Sequence, residues 1–103
     1  MSQTALFIRH KTRPGKRDEV RAVWMKHMAP AIAANAGHTD YFYCFDDADP
    51  NSICAFQCYA SPEAAEAFLA HPNYAVYLEA VEPLLAGAPE VSRLTPMWIK
   101  EPG

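Results

Sequence analysis

Three histidines sit where imidazole chemistry is open to them. His71 immediately precedes Pro72, at the junction of two helical stretches. An imidazole titrates near neutral pH, so a ring there can take a proton from a hydroxyl or donate to an oxyanion. The same position also suits a plainer role, as a cap on a helix end. His27 follows Trp24 by one turn on an apolar helix face. It is either a pocket residue or a satisfied core histidine, and Trp24 is either a pocket wall or core. His10 shares a strand parity with Leu6 and Ile8, whereas Arg9 has the opposite parity, so only one of the two can face a helix layer. Tyr74 and Tyr77 add phenolic rings in a later helical stretch, with Tyr74 a candidate pocket lining. Arg93 is a candidate charge partner for an anionic substrate.

The chain has 103 residues and a net charge of −3, a length that fits one domain spanning residues 1–103. Half of it is hydrophobic and 20% charged, which excludes a disordered chain. No apolar run is long enough for a membrane span. The N-terminal stretch carries its charges after its apolar run, which argues against a secretory signal. Three cysteines are too few and too odd for a disulfide framework. These features predict a cytoplasmic protein. Five of the nine Lys/Arg residues (Arg9, Lys11, Arg13, Lys16, Arg17) crowd into nine positions. They have no interleaved aromatics for base stacking, so a solvated loop is expected there and no nucleic-acid partner.

The elements that must position the histidines follow from punctuation. Residues 4–11 read as a strand, and Arg13-Pro14-Gly15 as a turn. Val20, Val23, Trp24, His27, Ala31 and Ile32 mark one face of a helix over about 16–35, which Pro30 should kink or divide. Residues 39–46 and 52–60 flank the turn cluster Asp47–Asn51 and predict a hairpin. Asp46, Asp47 and Asp49 lack the glycine and terminal glutamate of a calcium loop and read as a solvated turn. Ser61 fits an N-cap and Pro62 a first helical position. His71-Pro72 should interrupt that helix, and a second segment covers 74–85. Residues 90–99 read as a last strand, with Pro96 forcing an edge or bulge.

The order βαββαβ predicts an α+β, ferredoxin-like fold: a four-stranded antiparallel sheet with helices on one face. Both parities of the middle strands are apolar: Tyr41, Tyr43 and Phe45 against Phe42 and Cys44, and Ile53, Ala55 and Tyr59 against Cys54, Phe56 and Cys58. Helices cover one face only. The second needs a cover, and a second copy of the same sheet is the simplest one, so a homodimer is expected. Cys44 and Cys54 fall opposite each other if the hairpin centres near Asp49, and free thiols are expected of them.

Four segments, in order, resemble the antibiotic biosynthesis monooxygenase (ABM) domain. They are Arg13-Pro14-Gly15-Lys16-Arg17-Asp18-Glu19, then Asp46 to Asn51, then Tyr59-Ala60-Ser61-Pro62-Glu63-Ala64 with His71-Pro72-Asn73-Tyr74, and finally Pro83 to Val91. The resemblance runs over roughly residues 5–96. It implies a dimeric α+β barrel of two ferredoxin-like subunits. It also implies a cofactor-independent monooxygenase that oxidises a quinol or phenolic polyketide-like aromatic to a quinone with dioxygen. Alternatives on the same scaffold are a non-catalytic small-molecule-binding or stress-related dimer and a cofactor-free isomerase. His71 matches a histidine of the family and Tyr74 an aromatic. Tyr59 stands where the family usually has tryptophan; it is the second catalytic candidate, able to stack on an aromatic substrate and offer its hydroxyl. The axial histidine of haem-degrading relatives falls at about Leu78, which cannot ligate iron.

The sequence has no Gly-rich phosphate loop, dinucleotide fingerprint or metal-spaced Cys/His cluster, so no cofactor and no metal are expected. The substrate must then supply the hard chemistry. An electron-rich phenolate can pass an electron to dioxygen. The protein's share is a base, donors for the oxyanion and aromatic walls that exclude water.

Overall fold

In the computed structural model, which describes residues 3–100, the chain forms the expected sheet. The strands are β1 (Thr4–Lys11), β2 (His38–Phe45), β3 (Ser52–Tyr59) and β4 (Glu90–Leu94), in the order β2-β3-β1-β4 with every neighbour antiparallel. The helices are α1 (Arg17–His27), α2 (Ala29–Ala33), α3 (Pro62–Leu69) and α4 (Pro72–Val81), the last running into a short 3-10 turn, Glu82–Leu84. This is the ferredoxin-like α+β fold.

Each boundary has a local cause. Gly15 takes φ +76°, a left-handed conformation that disfavours other residues, and turns the chain from β1 into α1. The predicted long helix is two helices. Met28 N–H still reaches Trp24 O at 2.8 Å and Ile32 N–H reaches Met28 O at 2.9 Å, but Pro30 between them has no N–H to give. Ser61 caps α3, its hydroxyl accepting the Ala64 N–H at 3.1 Å, with Pro62 next in line. At Gly37 a Cβ would lie 3.1 Å from the Ala64 Cβ, tighter than an ordinary contact, so the chain entering β2 passes close to α3.

The core lies between helices and sheet. Leu6 and Ile53 from the sheet meet Val20, Phe68 and Val81 from the helices, all buried. Burial of each such side chain contributes roughly 1.5–3 kcal/mol. The opposite face of the sheet is open. Phe42 is 58% exposed there, opposite Phe56, and Leu94 is exposed too. These three, with Cys58, Trp98 and Ile99, line a depression of about 550 Å³.

The last strand is shorter than expected. It ends at Leu94 rather than at residue 99, because Pro96 cannot donate to the ladder and the chain leaves the sheet before it. Trp98 is consequently 82% exposed. The acidic hairpin turn is an ordinary Asx-rich turn. Asp46 accepts the Ala48 N–H at 2.8 Å and Asp49 the Asn51 N–H at 2.9 Å, while Arg9 pairs with Asp46 and Lys11 with Asp49. No helix among the described residues is long and apolar enough to cross a membrane.

Candidate functional site in the helix–sheet layer

Alternation puts one parity of each strand under the helices. Tyr41 and Tyr43 come from β2, Gln57 and Tyr59 from β3, and His10 from β1, while α4 contributes Tyr74 and Tyr77. All five tyrosines of the chain thus lie in one layer. Trp24 stacks on Tyr43 at 4.1 Å and leans on Tyr41 at 5.6 Å. His38 lies 4.3 Å from the Tyr59 ring and 4.5 Å from the Phe68 ring. His10 meets Tyr77 edge-on at 6.0 Å.

Polar atoms inside this aromatic layer are left over. Tyr59 donates its hydroxyl to Gln57 Oε1. The Gln57 Nε2, His38 Nε2, His10 Nδ1 and the hydroxyls of Tyr43 and Tyr77 are buried with no protein partner. A buried donor or acceptor without a partner costs about 1–3 kcal/mol, and five such atoms gather in this one layer. The layer carries no charge near neutral pH. Burial drops the His10 pKa to about 4 and lowers that of His38, against a smaller opposing pull from Gln57. Burial pushes Tyr41 up to about 12 and drives Tyr43, Tyr59, Tyr74 and Tyr77 upward. For all of these except Tyr74, neighbouring phenols add to the rise. The result is a neutral interior rich in hydrogen-bond donors.

The sequence-predicted residues divide. His10, Trp24, Tyr59 and Tyr74 belong to this layer, with Tyr59 fully buried. His27 does not join the aromatic contacts; it is half-buried, and its carbonyl accepts from Asn73 Nδ2 at 3.2 Å. His71 has the capping role. It is exposed at the N-terminus of α4, and its Nδ1 accepts the Asn73 N–H at 3.0 Å. It stands on the rim of a pocket of about 350 Å³ that Asn35 and Asn73 also line, not among the buried polar atoms. Arg93 is exposed on the edge strand.

Two residues of the layer escaped sequence reasoning. Gln57 carried a signal: it is a polar residue on the parity of Ile53, Ala55 and Tyr59. His38 carried none. A bulge between His38 and Asp40 inserts one residue, pairing His38 with Tyr59 and Asp40 with Cys58, and so turns His38 under the helices. Among the described residues no three His, Cys, Asp or Glu side chains stand together as a metal site.

This architecture recurs in solved structures. Rv0793 from Mycobacterium tuberculosis superposes with a TM-score of 0.84 at 27% identity, covering 97% of this chain and all of that one. NE2512 from Nitrosomonas europaea, a protein of unknown function, gives 0.85 at 22% identity, over 100% and 97% of the two chains. SnoaB from Streptomyces nogalater, a cofactor-independent oxygenase, gives 0.80 at 17% identity, over 96% and 97%. No curated protein matches the chain by sequence. The sequence profile of the antibiotic biosynthesis monooxygenase family matches residues 5–80, from β1 into α4 and so across most of the elements that build the buried layer. The chain therefore belongs to the antibiotic biosynthesis monooxygenase family.

Proposed function

We propose that this protein is a cofactor-independent monooxygenase, a cytoplasmic homodimer that oxidises a quinol or phenolic polyketide-like aromatic to a quinone with dioxygen. The observation that carries the reading is the neutral, aromatic-walled layer with five unpartnered polar atoms. On this reading a phenolic ring stacks on those aromatics and its oxygen takes up unspent donors such as Gln57 Nε2. SnoaB, of the same fold, lends the reaction class by analogy. The open sheet face, with Phe42, Phe56 and Leu94 exposed, supports the dimer.

The reaction balances without an outside reductant. The phenolate gives one electron to dioxygen, and the resulting radical pair joins at an ortho or para carbon that bears hydrogen to form a peroxide. Loss of the ring hydrogen on that carbon and cleavage of the O–O bond leave a carbonyl and release water. One oxygen atom enters the ring and the other leaves as water. Donors fixed around the phenolate oxygen hold its charge before electron transfer, and the buried layer keeps bulk water from the peroxide.

The test is oxygen uptake against dihydroxynaphthalenes, anthrones and benzoquinols. Uptake above autoxidation is expected, falling by about 10²-fold in Gln57→Leu, in line with loss of one oxyanion donor, and little changed in His71→Ala. Turnover without oxygen would replace the reading with an isomerase. Saturable binding with neither would leave a binding protein.

A further inference from the structure

Asn35, in the loop after α2, belongs both to the wall of the His71 pocket and to the surroundings of His38. Its side-chain oxygen accepts the Gly37 N–H at 3.2 Å, so its amide nitrogen is the end that meets His38 Nδ1, at 2.8 Å. The two ends of an amide are told apart by their partners, and a backbone N–H can only donate. Nδ1 therefore accepts, and a neutral His38 carries its proton on Nε2. That nitrogen makes no hydrogen bond of normal geometry, although the Gln57 side chain lies near enough to pull the ring's pKa upward, and the ring is held against Tyr59 and Phe68.

We propose that Asn35 is a positioning residue that locks His38 as the Nε2–H tautomer, so that His38 serves the site as a neutral donor to a phenolate oxygen rather than as the base that creates it. The inference rests on the phenol-oxidising reading above. An imidazole with Nδ1 engaged and Nε2 protonated has no lone pair for a substrate proton. The interior tyrosines, all held protonated, offer no base either. The neutral His10, whose Nδ1 is buried without a partner, is then the imidazole of this layer left to take a proton.

Two measurements on the whole protein test this. Nitrogen-15 histidine labelling with long-range proton–nitrogen spectra at neutral pH reads the tautomer directly, the His38 signals being identified by their loss in His38→Phe. Wild type is expected to show Nε2–H. Asn35→Asp keeps an acceptor for Gly37 but asks the ring for a proton, so it is expected to switch His38 to Nδ1–H or to the imidazolium. Binding of 4-nitrophenol, whose colour reports its ionisation, probes the donor role. Wild type is expected to favour the phenolate by about tenfold, the scale of one charge-assisted hydrogen bond. Asn35→Leu, which removes the bias without adding charge, is expected to lose most of that preference.

An Nδ1–H or charged His38 in wild type overturns the proposal, whatever the variants do. A phenolate preference equal in wild type and Asn35→Leu overturns the donor role. A wild type that binds neither form of the probe overturns the phenol-site reading and the donor role with it. Failure of oxygen uptake with the phenolate preference intact would sink the oxygenase reading alone.

Discussion

His10 should make the protein acid-labile through a single side chain. It is 5% exposed on β1, under α4, and its Nδ1 has no partner. Burial holds its pKa at about 4, against 6.5 for a free imidazole. Between those two values the unfolded chain binds a proton that the folded chain refuses, so stability falls as the solution is acidified. The contribution is fully present above about pH 6.5 and is lost progressively down to about pH 4. The gap corresponds to roughly 3 kcal/mol, a large share of the 5–15 kcal/mol typical of a small domain. His10→Leu keeps the volume and removes the titration. Urea unfolding at pH 7 and pH 4, at one protein concentration and followed by Trp24 fluorescence, gives the comparison. Wild type should lose about 3 kcal/mol more than His10→Leu between the two pH values. Equal losses would refute a neutral, buried His10. His38 is lowered in the same direction, but it is common to both proteins and cancels.

Other expectations follow from single contacts. Arg17 Nη1 donates to the carbonyls of Asp46, Asp49 and Ser52 at 3.0, 3.0 and 3.3 Å, and its guanidinium lies 4.0 Å over the Phe45 ring. Arg17→Met should therefore cost about 2–4 kcal/mol and speed amide exchange in residues 46–52; an unchanged melting temperature would remove Arg17 as the clamp on the hairpin. Phe42→Glu places a charge on the open sheet face, so light scattering should show a dimer in wild type and a folded monomer in the variant. A monomeric wild type would mean that the apolar face is covered in another way.

Much of this molecule is written in short-range signals. Pro30, Ser61-Pro62 and His71-Pro72 divide the helices by removing donors or supplying caps, effects that act within one turn of chain. Strand alternation likewise assigns Leu6, Ile8 and His10 to one face and Phe42 and Phe56 to the other, because the period of two is local. The length of β4 was less legible, since Pro96 says where pairing must fail but not that the chain departs at Leu94. The site was legible only in part. His71, prominent in sequence, caps α4 beside a pocket, while Gln57, marked only by its strand parity, and His38, silent in sequence, stand among the aromatics. The bulge at the start of β2 reverses which face His38 takes, and a bulge is set by pairing with a distant strand. Whether a buried polar atom is left without a partner depends on every neighbour that folding brings to it. The amino-acid sequence by itself determined the elements, their order and their two-faced sheet. Tertiary packing alone decided which polar groups are stranded in the interior.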